Sequence, residues 1–128
     1  MGLNLGMKNL YSPSMLKSYL SCKYIIFNDI YEKKLKLKKI ELSKNDKLRL
    51  EKGNDHEKNY LKELKKKYKK VIDIKNSDLS KEEKISKTIQ SMKEGWEVIH
   101  GGYLKRDKWR GEFDFLIINK NLKSKFGN

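Results

Sequence analysis

Within Trp109-Arg110-Gly111-Glu112-Phe113-Asp114-Phe115-Leu116-Ile117-Ile118, a run with the composition of a β-strand, one carboxylate stands just where the apolar side chains become continuous. Packing alone does not choose an aspartate there, because a buried carboxylate loses its hydration unless it is paired. Period-two alternation puts Trp109, Gly111, Phe113, Phe115 and Ile117 on one face and Arg110, Glu112, Asp114, Leu116 and Ile118 on the other. Asp114 thus passes from polar into apolar company. A carboxylate at such a border can hold a hard divalent cation through oxygen without losing all its water. The plainer alternative is a strand aspartate paired with Arg110 or a lysine. A second group is Gly53-Asn54-Asp55-His56-Glu57. His56 and Glu57 occupy successive helical positions, about 100° apart, and both can border one cleft. Here the alternative is a satisfied surface histidine beside acidic residues that favour a helix N-terminus.

The elements that must position these residues follow from periodicity. Ser12-Pro13-Ser14 predicts a helix start, with Ser12 capping and Pro13 at the first helical position. Leu16, Leu20, Tyr24, Phe27 and Tyr31 then form one core-facing stripe on a long first helix. Lys33 to Lys47 is lysine-rich and irregular. A second helix runs from about Lys47 to Tyr68, its stripe formed by Leu50, Gly53, Glu57, Leu61, Leu64 and Tyr68. Gly53 weakens a helix interior by about 1 kcal/mol relative to alanine, so it calls for a close contact or a helix start. Glu57 on that stripe calls for a partner or a metal. Val71-Ile72-Asp73-Ile74 is a short β-prone run, and Asn76-Ser77-Asp78 a turn. Ser80-Lys81-Glu82-Glu83 is a capping box that opens a third helix, with Ile85, Ile89 and Met92 on one face and Gly95 closing it. Trp96 to Leu104 and Trp109 to Ile118 are two strands of an antiparallel hairpin across Lys105-Arg106-Asp107-Lys108.

At 128 residues the chain fits a single domain, 1–128. Its formal net charge of +14, carried by 28 Lys and three Arg (Arg49, Arg106, Arg110) against 17 acidic residues, attracts polyanions, and nucleic acid is the natural partner. Coding bias toward lysine explains the composition equally well, but the field is there whatever its origin. No stretch approaches the roughly 20 apolar residues that cross a bilayer, and Met1 to Leu10 lacks the pattern of a leader, so the expectation is a cytoplasmic protein without membrane contact. Cys22 is the only cysteine; it forms no disulfide within the chain and is expected to pack as a small hydrophobe.

Taken in order, Ser12-Pro13-Ser14-Met15-Leu16, Tyr19-Leu20-Ser21-Cys22, Gly53 to Glu57, Tyr60-Leu61, Thr88 to Leu104 and Trp109 to Leu116 resemble RecB-family nucleases of the PD-(D/E)XK superfamily, above all bacterial members whose nuclease module is attached to helicase domains. The resemblance spans almost the whole chain. It implies an α+β, restriction-endonuclease-like fold. Here that is an incomplete core of three helices packed on a small, largely antiparallel sheet, C-terminally truncated with the later strands missing. It further implies that His56 and Asp114 bind Mg²⁺ or Mn²⁺ and that Asp114 and Glu57 act in catalysis. In such nucleases the metal polarises the scissile phosphate and helps generate hydroxide, while a lysine of a following D/E-x-K strand assists the attacking water. Some relatives hold an iron–sulfur cluster through one cysteine in the first helix and three near the C-terminus; only the first has a counterpart here, Cys22, so no cluster is expected.

No acid follows Asp114 in this sequence. The bare D/E-x-K pattern occurs earlier, at Glu32-Lys33-Lys34, Glu63-Leu64-Lys65, Asp73-Ile74-Lys75 and Glu82-Glu83-Lys84, roughly the number that chance supplies in so lysine-rich a chain. Asp73-Ile74-Lys75 alone sits on a strand, but it precedes Asp114, and using it would require a permuted site. The expectation is therefore the N-terminal part of a metal-dependent nucleic-acid phosphodiesterase, inactive alone. It would act on DNA ahead of RNA, and a downstream nuclease or helicase polypeptide would complete its sheet. The alternative is a small basic module that binds nucleic acid or another protein without catalysis, with Trp96, Tyr103 or Trp109 available for contacts.

Overall fold

A computed structural model describes residues 10–123 and residue 125. Its elements are α1 (Pro13–Ser21), α2 (Lys23–Tyr31), α3 (Lys44–Lys67), β1 (Val71–Asp73), α4 (Lys81–Lys93), β2 (Val98–His100), β3 (Tyr103–Arg106), β4 (Trp109–Glu112) and β5 (Phe115–Ile117). The class is α+β, with four helices among the described residues where three were expected. Two compact units result, one of Met1–Lys52 and Lys105–Gly111, the other of Gly53–Leu104 and Glu112–Asn128.

In the first unit, Ser12 caps α1 by accepting a hydrogen bond from the Met15 N–H, with Pro13 at the first turn, as the sequence predicts. The predicted long helix instead breaks at Cys22, whose backbone is extended (φ −161°, ψ 117°). One residue earlier the Ser21 hydroxyl donates to the Lys17 carbonyl. A serine that bonds back to the preceding turn bends a helix, which favours a break at the next residue. The stripe expected to face a core does not do so: Leu20 and Tyr24 are each 75% exposed, and no residue of α1 or α2 is buried. Cys22 is likewise exposed rather than packed. Tyr11 lies beside β4 through a parallel bridge to Trp109, its N–H donating to the Lys108 carbonyl and its carbonyl accepting from the Arg110 N–H.

The hydrophobic core lies in the second unit, where Leu61, Leu64, Ile74, Val98 and Ile99 are buried. A three-stranded mixed sheet has the order β1-β2-β5, with β1 parallel and β5 antiparallel to β2. β3 and β4 form a separate two-stranded ladder. The predicted hairpin is thus present, but each of its strands is interrupted, at Gly101-Gly102 and at Phe113-Asp114. Across that gap the Gly101 N–H donates to the Asp114 carbonyl and the Phe113 N–H to the Gly102 carbonyl, which keeps the register. Alternation holds from Gly111 to Ile118: residues 111, 113, 115 and 117 are half-buried, while 112, 114, 116 and 118 are exposed.

α4 opens on the predicted capping box, Ser80 and Glu83 exchanging both hydrogen bonds, and Gly95 follows it at φ +69°. Its buried face is not the predicted one. Ile89 and Met92 are exposed, and the fully buried residues are Thr88 and Ser91. Their hydroxyls donate to the Lys84 and Lys87 carbonyls one turn back, so small side chains with satisfied hydroxyls can face the interior.

Candidate functional site

The parallel register of β1 with β2 sets Asp73 beside His100, and the antiparallel register of β2 with β5 sets His100 beside Phe115. His100 is therefore the middle of a row across the sheet, only 3% exposed. Its imidazole stacks on the Phe115 ring, centroids 4.7 Å apart, and Tyr60 meets the same ring edge-on at 5.1 Å. A histidine so enclosed must satisfy both ring nitrogens. Nδ1 lies 2.8 Å from Asp73 Oδ1 and Nε2 lies 2.7 Å from Glu57 Oε1.

Glu57 comes from α3, on the face that buries Leu61 and Leu64 one and two turns later. The partner that its place on that stripe demands is Lys75, whose Nζ lies 2.6 Å from Glu57 Oε1. Lys75 reaches this position because the chain leaves β1 over the end of β2, the N–H groups of Ile74 and Lys75 both donating to the His100 carbonyl. The turn passes so close to Gly101 that a Cβ there would collide with the Cβ and backbone of Lys75, and Gly101 has φ +66°. Asp73 fixes the same turn by accepting from the Asn76 N–H at 3.2 Å and from the Asn76 side-chain amide at 2.7 Å. The outcome is a chain of polar contacts that links Asp73, His100, Glu57 and Lys75. Glu57, Lys75 and His100 border a pocket of about 270 Å³ together with Asn54, Leu61 and Asn76.

The electrostatics follow from these contacts. Hydrogen bonds from Lys75 and then His100 hold the Glu57 carboxyl below its ordinary value, against the opposing effect of burial. For Asp73 burial acts upward and is the largest single influence, but hydrogen bonds from Asn76 and His100 outweigh it and the carboxyl is lowered. Lys75 is raised, first by its hydrogen bond to Glu57 and further by the negative charges of Glu57, Asp114 and Glu112. At neutral pH the two carboxylates are ionised and Lys75 is a fixed cation. It can attract a phosphate but does not serve as a base.

Of the residues singled out in the sequence, Glu57 is thus drawn into the cluster, and Asp114 contributes its charge at Lys75 from an exposed position between β4 and β5. His56 is exposed on α3, and no hydrogen bond or ion pair joins it to Asp114 among the described residues. Nor does any group of three His, Cys, Asp or Glu converge as a ready metal-binding set among them. Sequence reading missed His100 and set Asp73-Ile74-Lys75 aside. The available signals were a histidine ending the apolar run Val98-Ile99-His100, and a D-x-K tract on a strand. Compared with protein-family models, curated proteins and solved structures, the chain matches none of them.

Proposed function

We propose that the chain is a module of a metal-dependent nucleic-acid phosphodiesterase, of the RecB-like kind that its motifs resemble. The observation that carries this reading is the convergence of Glu57, Lys75 and His100 on one pocket, with the charge of Asp114 felt at Lys75, in a chain of formal net charge +14. A phosphodiester needs a cation to receive its charge and carboxylate oxygens for a hard divalent metal. Lys75 is the first. Glu57, whose Oε2 makes no hydrogen bond among the described residues, and the exposed Asp114 are the second, and this donor chemistry fits Mg²⁺ or Mn²⁺. His56, one position before Glu57, is the imidazole that the resemblance adds. When bound, the metal would polarise the phosphate and activate water.

The chain's own residues divide the remaining work. Lys75 draws the phosphate toward the pocket. His100 aligns the Glu57 carboxylate, and Asp73 aligns His100. No acid follows Asp114 in this sequence, so the D/E-x-K strand of the resemblance would have to come from elsewhere, such as a nuclease or helicase polypeptide. β5 is an edge of the sheet order β1-β2-β5, and an edge strand can accept another.

The test is oligonucleotide binding with and without Mn²⁺. Lysine-driven binding weakens as salt rises, and a divalent cation acting only as a competitor weakens it further. The expected result is that Mn²⁺ strengthens binding by the natural chain, but not by the Asp114→Asn or Glu57→Gln variant. Equal weakening of all three would overturn the site. Hydrolysis by the chain alone is expected to be absent; metal-dependent hydrolysis that survives both D114N and K75A would overturn it too.

A further inference from the structure

We infer that the first unit carries a platform on which the bases of a single-stranded nucleic acid stack, an inference that rests on the nucleic-acid reading above and names the form of the substrate. The platform is the groove bordered by Tyr11, Leu16, Tyr19, Ile26, Ile30 and Trp109, about 300 Å³ and mostly apolar. Its three aromatic side chains are each close to half exposed: Tyr11 46%, Tyr19 47% and Trp109 47%. Tyr11 and Trp109 sit with ring centroids 5.6 Å apart at 53°. Their backbones are locked by the two hydrogen bonds that join Tyr11 to Lys108 and Arg110, so the pair stays in place when nothing covers it. Such a surface loses little freedom on binding, and every base offers a π-face to it regardless of sequence.

Charge identifies the occupant. The first unit holds 16 of the 31 basic residues and 6 of the 17 acidic ones, a formal +10, and the second unit holds the other 15 and 11, +4. All three arginines fall in the first unit. The two-residue turn Asp107-Lys108 sets Arg106 opposite Trp109 and so on the same face of the hairpin. The Lys23 ammonium lies 5.7 Å from the centre of the Tyr19 ring, which borders the groove. An apolar protein surface would gain nothing from this surround of cations. A strand with its bases inward and its phosphates outward satisfies both parts. In a duplex the bases face each other and are closed to such a groove, so the platform selects single strands.

The experiment compares a labelled oligothymidylate with an abasic strand of equal length and phosphate count, both read by fluorescence anisotropy on the full chain. Electrostatics alone binds the two equally; stacking adds to the first only. The expected result is that the thymidylate strand binds at least about tenfold more tightly, and that Trp109→Ala removes most of this preference while Trp109→Phe keeps it. Equal binding of the two strands by the natural chain overturns the inference whatever the variants do, and leaves the phosphodiesterase reading standing. Concentration-dependent dimerisation that abolishes the preference would assign the groove to a second copy and overturn it as well. Failure to bind either strand would remove the nucleic-acid reading itself.

Discussion

Lys75 and Glu57 are the residues on which the proposed chemistry turns, because their contact at 2.6 Å favours the charged form of both. The consequence for pH can be worked out by sign. Glu57 and Asp73 lie below their ordinary values of 4.5 and 3.8, so the folded state binds fewer protons than the unfolded chain. Their stabilisation is complete above those values and is lost as pH falls through them toward the lower folded ones. Lys75 lies above its ordinary 10.5, so its contribution is complete below that value and is lost only as pH rises beyond it. Thermal unfolding should therefore show a plateau between these limits and an acid limb, and Glu57→Gln should flatten the acid limb. An unchanged acid limb in that variant would place the acid-sensitive contacts elsewhere. These residues were only partly legible in the sequence. Glu57 stood out because a carboxylate on a helix stripe needs a partner. Lys75 stood out only through the tract Asp73-Ile74-Lys75, one of four matches at the level of chance, since a lysine among 28 carries little information until a turn delivers it.

At the scale of elements, what could be read was what neighbours in sequence decide. The capping box at Ser80, the Ser12-Pro13 start and the alternation of the last strand all depend on residues within one or two turns, and all are present. The buried faces of α1, α2 and α4 depend on what lies opposite, and there periodicity misled. Gly53 is the sharper case. Its position called for a close contact or a helix start, yet it lies inside α3 with open space where a Cβ would stand. Gly53→Ala should then stabilise the protein by about 1 kcal/mol, measured by denaturant unfolding. Loss of stability would mean that this position needs glycine for a reason its surroundings do not contain. Gly101 is the opposite. With a positive φ and Lys75 against it, Gly101→Ala should destabilise by about 2 kcal/mol or more and displace Lys75 from Glu57. Chemical shifts of the Lys75 and His100 resonances would register that displacement, and unchanged shifts would refute it.

For the whole molecule, composition gives a large positive charge but not how that charge is divided between parts of the fold. Two units emerge, the more basic one bearing exposed aromatic residues and the other bearing the buried core and the ionised pocket. Charge counts along the sequence could not anticipate this, because the first unit is assembled from two separate stretches of chain. The proposed function requires that Glu57, Lys75 and Asp114 mark a site for a divalent cation and a phosphodiester. Paramagnetic broadening of backbone amide resonances by substoichiometric Mn²⁺ reads out such a site residue by residue. Signals around Glu57, Lys75 and Asp114 should broaden first, and Asp114→Asn should abolish the effect. Broadening centred on other acidic residues, or unaltered in D114N, would contradict it.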